Sequence, residues 1–237
     1  MITSSYHAAD ILVNEFGCSP QKIYPVPDCV NVDTFRPDVL SAGERQALRK
    51  RWGIPRERQV VVYLGLLAEY QGTGLLLKAA RRVVSARPDT HFLVMGYPNA
   101  DQYRAYAEGL GLGGHATFTG QVPYEEAPRH LALGDVAVAP KISATEGSGK
   151  ILNYMAMGLP TVAFPTPVSR EYLGDLGIYA REVSATALAD ALLTLLHDPT
   201  GAAERGARLR EKAVDEYSWE RGGKLIQEVY SDVCSRG

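Results

Sequence analysis

A short segment near the middle of the chain combines residue types that bind phosphate and sugar groups. It contains Lys141, Glu146, Gly147, Gly149 and Lys150. Glycines let a backbone approach a ligand closely, and the free N–H groups at the start of a helix, here predicted over 149–157, bind anions. Lysines can neutralise phosphates, and a carboxylate can accept hydrogen bonds from sugar hydroxyls. The segment therefore predicts a site for a sugar diphosphate.

The same residues have a second interpretation that involves no ligand. Lys150 could be a solvated lysine in the first turn of a helix, and the two glycines could form a tight turn. The local sequence supports both interpretations equally, so the choice between them depends on the rest of the chain.

Segments with strand character alternate with segments of helical spacing along most of the chain. The predicted strands are 22–27, 59–64, 90–95, 116–119, 136–139 and 161–164. The predicted helices are 8–16, 41–52, 72–86, 101–110, 124–133, 149–157, 186–196, 201–216 and 218–234. This alternation predicts an α/β fold, a Rossmann-like doubly wound parallel sheet covered on both faces. Such folds bind ligands in loops at the carboxyl ends of their strands, where the lysine-containing segment lies.

The composition is that of an ordinary globular domain. The chain has 237 residues, of which 46% are hydrophobic and 22% charged, and its formal net charge is -2. The small net charge argues against a nucleic-acid partner. The three cysteines are widely spaced, which argues against a disulfide framework or a zinc site. With no signal-peptide pattern and no apolar run of ~20 residues, we expect a cytoplasmic protein.

Several nucleotide, metal and hydrolase motifs are excluded by their context. A GxGxxG pattern at positions 109, 111 and 114 follows a predicted helix, whereas the dinucleotide motif follows a strand. The stretch 147–150 resembles a phosphate loop, but Ile151 stands where that motif has Ser or Thr for Mg²⁺. The sequence contains no DxD pair, no histidines at metal-ligand spacing and no GxSxG elbow. We therefore expect neither a metal nor a cofactor.

The segment after Lys150 resembles the signature of glycosyltransferase family 4, whose members are retaining enzymes of the GT-B fold. That signature ends E-A-M-A-x-G-x-P-V, and residues 153–162 here read N-Y-M-A-M-G-L-P-T-V. Weaker motifs of the family occur in the family's order along almost the whole chain. They are Val26-Pro27, Val32-Asp33, Phe35 and Pro37; Tyr63-Leu64-Gly65; Gly72 with Leu75–Ala79; Phe118–Pro123; Ala139-Pro140; and Tyr217-Ser218-Trp219. The order of these motifs is more specific than any one of them.

The resemblance implies metal-independent transfer of a hexose or related sugar from a nucleoside diphosphate, with retention at the anomeric carbon. Glu146 and Lys150 would be the catalytic residues. Glu146 would position the donor sugar. Lys150, together with Lys141, would stabilise the leaving diphosphate. The other donor-binding positions would be Gly65, Gln71, Val122, Lys141, Thr145, Gly147, Ser148, Gly149 and Asn153.

Three of these positions have more specific implied roles. Asn153 would bind the ribose, since an amide can hydrogen-bond hydroxyls. Gln71 would line the wall opposite the lysines, and the base would lie against the loop that contains Val122.

The chain departs from the family at four positions. Leu66 and Gln71 stand where the family has an arginine and a lysine that bind the diphosphate. Asn153 replaces the second glutamate of the E-x7-E motif, and strict spacing places the first glutamate at Thr145, one residue before Glu146. One hypothesis is that Lys141 and Lys150 supply the missing charge from the other side of the pocket. The alternatives are a binding module that has lost catalysis and a nucleotide-sugar epimerase of the same fold.

The resemblance also implies a domain organisation. Residues 1–217 would be the donor-binding domain, the carboxyl-terminal half of a GT-B fold, with 1–5 left from the last strand of a preceding domain. That acceptor-binding domain would be missing from this chain, and any peripheral membrane association would come through it. The helix in 218–237 would cross back to it and leave Trp219, Ile226 and Tyr230 exposed here. The alternative is that these three side chains pack on the present domain.

Overall fold

Strand β3, Gln59–Leu66, runs through the middle of a six-stranded parallel sheet. The computed structural model describes residues 1–143 and 147–235. Val60 and Val62 contribute to the core on one face of the sheet, and Val61 and Tyr63 to the core on the other. A continuous apolar run indicates this burial on both faces. The other strands of the sheet are β4 Thr90–Tyr97, β5 Ala116–Gly120, β6 Val136–Ala139, β7 Thr161–Ala163 and β8 Ile178–Tyr179.

The strands lie side by side in the order β5-β4-β3-β6-β7-β8, and every neighbouring pair is parallel. From β3 the chain first builds the sheet outward to β5, and it then returns to place β6 on the other side of β3. This is the strand order of a Rossmann fold, so the predicted doubly wound sheet is confirmed. The direction of building reverses between β3 and β6, which makes their carboxyl ends the place where such folds bind ligands.

Helices cover both faces of the sheet. Helices α3 Thr73–Ala86 and α8 Ala185–His197 bury apolar residues in the core that contains Val61. Helices α6 Gly149–Ala156 and α9 Pro199–Tyr217 bury theirs in the core that contains Val60. The other helices are α1 Tyr6–Asn14, α2 Ala42–Arg51, α4 Ala100–Gly109, α5 Ala127–Leu131, α7 Pro167–Leu173 and α10 Trp219–Ser235.

Two elements were not predicted from the sequence, helix α7 and strand β8. Helix α7 starts at Pro167, with the hydroxyl of Thr166 accepting a hydrogen bond from the N–H of Ser169. It has 7 residues and β8 has 2, so neither is long enough to show a clear apolar period. Both form because β7 and the helices beside it provide a surface on which they pack.

The amino-terminal residues are attached to this fold by a second small sheet and by a charged helix cap. Strand β1, Ile2–Thr3, pairs in parallel with β2, Tyr24–Pro25. The carboxylate of Glu171 accepts hydrogen bonds from the N–H groups of Tyr6 and His7, both at 3.1 Å. A carboxylate at a helix start satisfies unpaired N–H groups and complements the helix dipole. Helix α1 is thereby held against α7.

Helix α10 presents an apolar face to solvent. Trp219, Ile226 and Tyr230 are 58%, 40% and 66% exposed, in agreement with the first of the two sequence expectations for these residues. Val233, at the next position along the same face, is also exposed. Within residues 1–143 and 147–235, none of the helices combines the length and apolar content that spanning a bilayer requires.

Candidate functional site

The loops after β3 and β6 meet at the carboxyl end of the sheet. The N–H of Ile142, in the loop after β6, donates a 3.1 Å hydrogen bond to the carbonyl of Tyr70, in the loop after β3. Gly72 has a φ of 75°, and its Cα faces the carbonyl oxygen of Pro140 so closely that a side chain there would collide with it. Glycine is required at this position for both reasons. The loops after β3 and β6 are thus in direct contact at the point where the strand order reverses.

The side chain of Lys150 crosses from the first turn of α6 to the loop after β3. Its Nζ donates to Oε1 of Gln71 at 2.8 Å and to the hydroxyl of Tyr63 at 3.3 Å. The same Nζ lies 4.5 Å from the centre of the Tyr63 ring, within the range of a cation–π contact. A Cβ atom on Gly65 would lie 2.5 Å from this Nζ. The structure therefore brings Lys150, Gln71 and Gly65 together, as predicted donor-site residues, and adds Tyr63.

The position of the Lys150 ammonium changes the interpretation of Leu66 and Gln71, the two uncharged residues that stand where the family has an arginine and a lysine. The hypothesis from the sequence was that Lys141 and Lys150 supply the compensating charge from the side of the pocket opposite Leu66 and Gln71. Instead the ammonium lies hydrogen-bonded to the end of the Gln71 side chain, on the same wall. The Lys150 ammonium thus lies beside position 71, where the family that the sequence resembles has a lysine, although this ammonium comes from α6.

Burial changes the protonation of this lysine. Removal from water disfavours the charged form and lowers the pKa of Lys150 to about 7, and the nearby charge of Lys141 lowers it further. Within the described residues, no carboxylate lies at ion-pair distance from the Lys150 ammonium. Near neutral pH this group can therefore gain a proton when an anion arrives, as a phosphate-binding group would.

Lys141 has a different environment, at the other end of the same loop. It is 4% exposed, and its Nζ donates a 2.9 Å hydrogen bond to the carbonyl of Gly147. The carboxyl of Asp28 lies nearby: burial raises its pKa, while a hydrogen bond from Tyr172 and the charge of Lys141 lower it. Lys141 therefore links the start of the loop after β6 to the residues just before α6.

The amino terminus of α6 supplies three further residues of the predicted site. Ser148 precedes the helix, and its buried hydroxyl has no hydrogen-bond partner among the residues that the structure describes. Gly149 is exposed at the first helical position, and Asn153 is partly exposed one turn later. These groups, the first N–H groups of the helix and the Lys150 ammonium could together bind an anion with an attached polar group.

Val122 is the one described residue among the predicted set that is not brought into this group. Val122 follows β5, the edge strand, which β4 separates from β3, and it packs partly on the core. Its contact with a base therefore stays a prediction. Thr145 and Glu146 lie outside the described residues, so their proposed roles with the donor sugar also stay predictions.

Neither Tyr63 nor Asp28 was predicted as a site residue from the sequence, although Tyr63 belongs to one of the family motifs. Tyr63 is 1% exposed and lies on β3 just before the loop glycine. Its phenol is a polar group at the end of a run of valines, and that position was the available signal. Asp28 gave no such signal, because only the folded chain places the loop after β2 beside the loop after β6.

Comparison with known proteins shows the family to which the sequence belongs. Residues 44–215 match the family described as glycosyl transferases group 1. A curated relative from Mycolicibacterium smegmatis is named GDP-mannose-dependent alpha-(1-6)-phosphatidylinositol monomannoside mannosyltransferase. It is 31% identical over 215 residues, which cover 87% of this chain and 55% of the relative. The chain spans about half the length of the curated relatives that it matches.

Solved structures show the same fold. HepE from Anabaena, crystallised with UDP and glucose, matches with a TM-score of 0.83 at 17% identity, over 99% of this chain and 62% of HepE. The C-terminal domain of LpcC, a group 1 family protein from Francisella tularensis, matches with a TM-score of 0.68 at 21% identity. That match covers 80% of this chain and 99% of the LpcC domain. Because the family match extends over more than half of the sequence, the chain belongs to the group 1 glycosyl transferases.

Proposed function

We propose that this chain is the donor-binding domain of a retaining glycosyltransferase that uses a nucleoside diphosphate sugar and no metal. The observation that carries the proposal is the partly buried Lys150 ammonium, hydrogen-bonded to Gln71 at the point where the strand order reverses. Lys150 and the first N–H groups of α6 would bind the diphosphate and stabilise it as it leaves. Glu146 would position the donor sugar and Asn153 would bind the ribose.

The names of related proteins indicate which donors to test first. The M. smegmatis relative is named as GDP-mannose-dependent, and HepE was crystallised with UDP and glucose. We propose a hexose donor of this kind, with GDP-mannose as the first candidate and UDP-glucose as the second. The name of the 31% identical relative supports GDP-mannose, whereas the likeness to HepE supports only the fold.

We propose further that transfer needs a second, acceptor-binding domain. The curated relatives are about twice as long as this chain, and α10 carries an exposed apolar face. An exposed, contiguous apolar face on a helix is typical of an interface. The acceptor domain would cover it, and the isolated chain would bind donor weakly with little turnover.

The test is a thermal-shift titration of the 237-residue chain with GDP-mannose and UDP-glucose. We expect stabilisation by at least one donor, and its loss in Lys150→Glu, because reversing the charge repels the diphosphate. Lys78→Glu is the matched control, since Lys78 is an exposed lysine on α3. Equal shifts in Lys150→Glu and the wild type would contradict the proposed role of Lys150.

A further inference from the structure

The hydroxyl of Tyr63 connects two parts of the site. It donates a 2.7 Å hydrogen bond to the carbonyl of Leu66, at the end of β3, and it accepts the 3.3 Å hydrogen bond from Lys150. Since its proton is directed to Leu66, an oxygen lone pair is left to face the ammonium. The ring of the same residue supplies the cation–π contact. One buried side chain thus contacts both the loop backbone and the cation.

We propose that Tyr63 is the positioning residue of the phosphate site, holding the Lys150 ammonium under the loop that begins at Gly65. This inference rests on the proposed function, because it concerns the same site. It adds the reason why Lys150 reaches the wall formed by the loop after β3 instead of extending into solvent.

Among the residues that the structure describes, no counter-ion lies beside the Lys150 ammonium. An ammonium removed from water is costly unless hydrogen bonds or a charge compensate for it. In the described part of the chain the ammonium has two acceptors, Gln71 Oε1 and the Tyr63 hydroxyl, together with the face of the Tyr63 ring. Lys141 is the neighbouring charge, and it is repulsive. The ammonium donates two hydrogen bonds within the described residues, and its third N–H could donate to an anion.

Tyr154 offers a matched control. It is also buried, and its hydroxyl also bonds to β3, where it accepts from the N–H of Leu64 at 2.7 Å. Tyr154 faces the other core, and the structure shows no bond between it and Lys150. Tyr63→Phe and Tyr154→Phe therefore each remove one buried hydroxyl beside the same strand, but only Tyr63→Phe removes a partner of the lysine.

The experiment measures the lysine itself and nucleotide binding separately. Competitive acetylation at a series of pH values, read by peptide mass spectrometry, gives an apparent pKa for each lysine, with exposed Lys78 as internal reference. Calorimetric titration with GDP and with UDP gives the affinity of the wild type, Tyr63→Phe, Tyr154→Phe, Lys150→Arg and the Tyr63→Phe Lys150→Arg double variant.

We expect Tyr63→Phe to lower the apparent pKa of Lys150 and to weaken nucleotide binding about tenfold, since a hydrogen bond to a charged group is lost. Tyr154→Phe should change neither quantity. The effect of Tyr63→Phe on affinity should be smaller in the Lys150→Arg background, because the two residues act together. An unchanged acetylation profile of Lys150 in folded Tyr63→Phe, or fully additive effects in the double variant, would overturn the proposal. If neither nucleotide binds the wild type but the profile still shifts, the proposed function is wrong and the positioning role of Tyr63 stands.

Discussion

A Cβ atom on Gly65 would lie 2.5 Å from Nζ of Lys150, so the absence of a side chain at position 65 makes room for a lysine from another element. Gly65 also has a φ of 151°, a backbone conformation that L-residues with a side chain rarely adopt. In the sequence this glycine belonged to a motif of the family and was an implied donor-binding position. The structure shows that it also admits the proposed phosphate-binding ammonium.

Gly65→Ala should therefore disable the site without removing any charged group. The methyl group would displace the Lys150 side chain from Gln71 and Tyr63, and we expect nucleotide affinity to fall at least tenfold. Titration calorimetry with GDP and UDP measures this. Gly113→Ala is the control for a glycine with open space around it. Wild-type affinity in Gly65→Ala would contradict the placement of Lys150.

Nucleotide affinity should depend on pH in the range where Lys150 titrates. The pKa of Lys150 in the free protein is about 7, so the ammonium is lost as pH rises above that value. Because the diphosphate binds the charged form, affinity should fall by up to about tenfold per pH unit above 7. Lys150→Arg stays charged and should remove this dependence. The same pH dependence in both proteins would show that another group is responsible.

Stability should also depend on acid through His91, which lies far from the proposed site. Burial, with the charges of Arg58, His115 and Arg49, lowers the pKa of His91 from 6.5 to about 4. The unfolded chain therefore binds a proton that the folded chain does not, so stability is lost as pH falls from 6.5 towards 4. The loss between pH 7 and pH 4.5 should be about 2 kcal/mol.

Urea denaturation at the two pH values measures this difference. The hydroxyl of Thr117 donates to the carbonyl of Trp52 and therefore accepts from Nε2 of His91. In His91→Gln an amide can make the same donation without titrating, so the pH-dependent loss should shrink. An equal loss in His91→Gln would assign the acid sensitivity to other groups.

The cap that Glu171 places on α1 should contribute measurably to stability. Glu171→Ala removes the acceptor for the N–H groups of Tyr6 and His7, and we expect a cost of about 1–2 kcal/mol. Hydrogen exchange at these two amides should also accelerate. Glu108→Ala, at an exposed glutamate on α4, should have little effect. Unchanged exchange at Tyr6 and His7 would show that α1 is held mainly by other contacts.

Metal independence has its own test. Donor binding by the full chain, and transfer by any longer form that is active, should be the same with and without a chelator. Loss of donor binding on adding EDTA, with recovery on adding Mg²⁺ or Mn²⁺, would contradict the proposed chemistry.

The sequence by itself determined the fold class, and it predicted the place of the site. Short apolar segments alternate with segments of helical periodicity, and this was sufficient to predict a doubly wound sheet. A continuously apolar strand such as 59–64 must be buried on both faces, which requires helices on both sides of the sheet. The rule that ligands bind at the carboxyl ends of the strands then directed attention to the loop before α6. Helix α7 and strand β8 were too short to be found in this way.

Only the tertiary structure decided which groups meet. Tyr63, Gln71 and Lys150 belong to β3, the loop after it and α6, and their contact depends on β6 lying next to β3. No periodicity encodes that adjacency, because it follows from the reversal of strand order. The sequence showed that Leu66 and Gln71 are neutral and that lysines lie elsewhere. The folded chain places one of those lysines on the wall where the charge was missing, because a side chain as long as lysine can span the gap between two neighbouring loops.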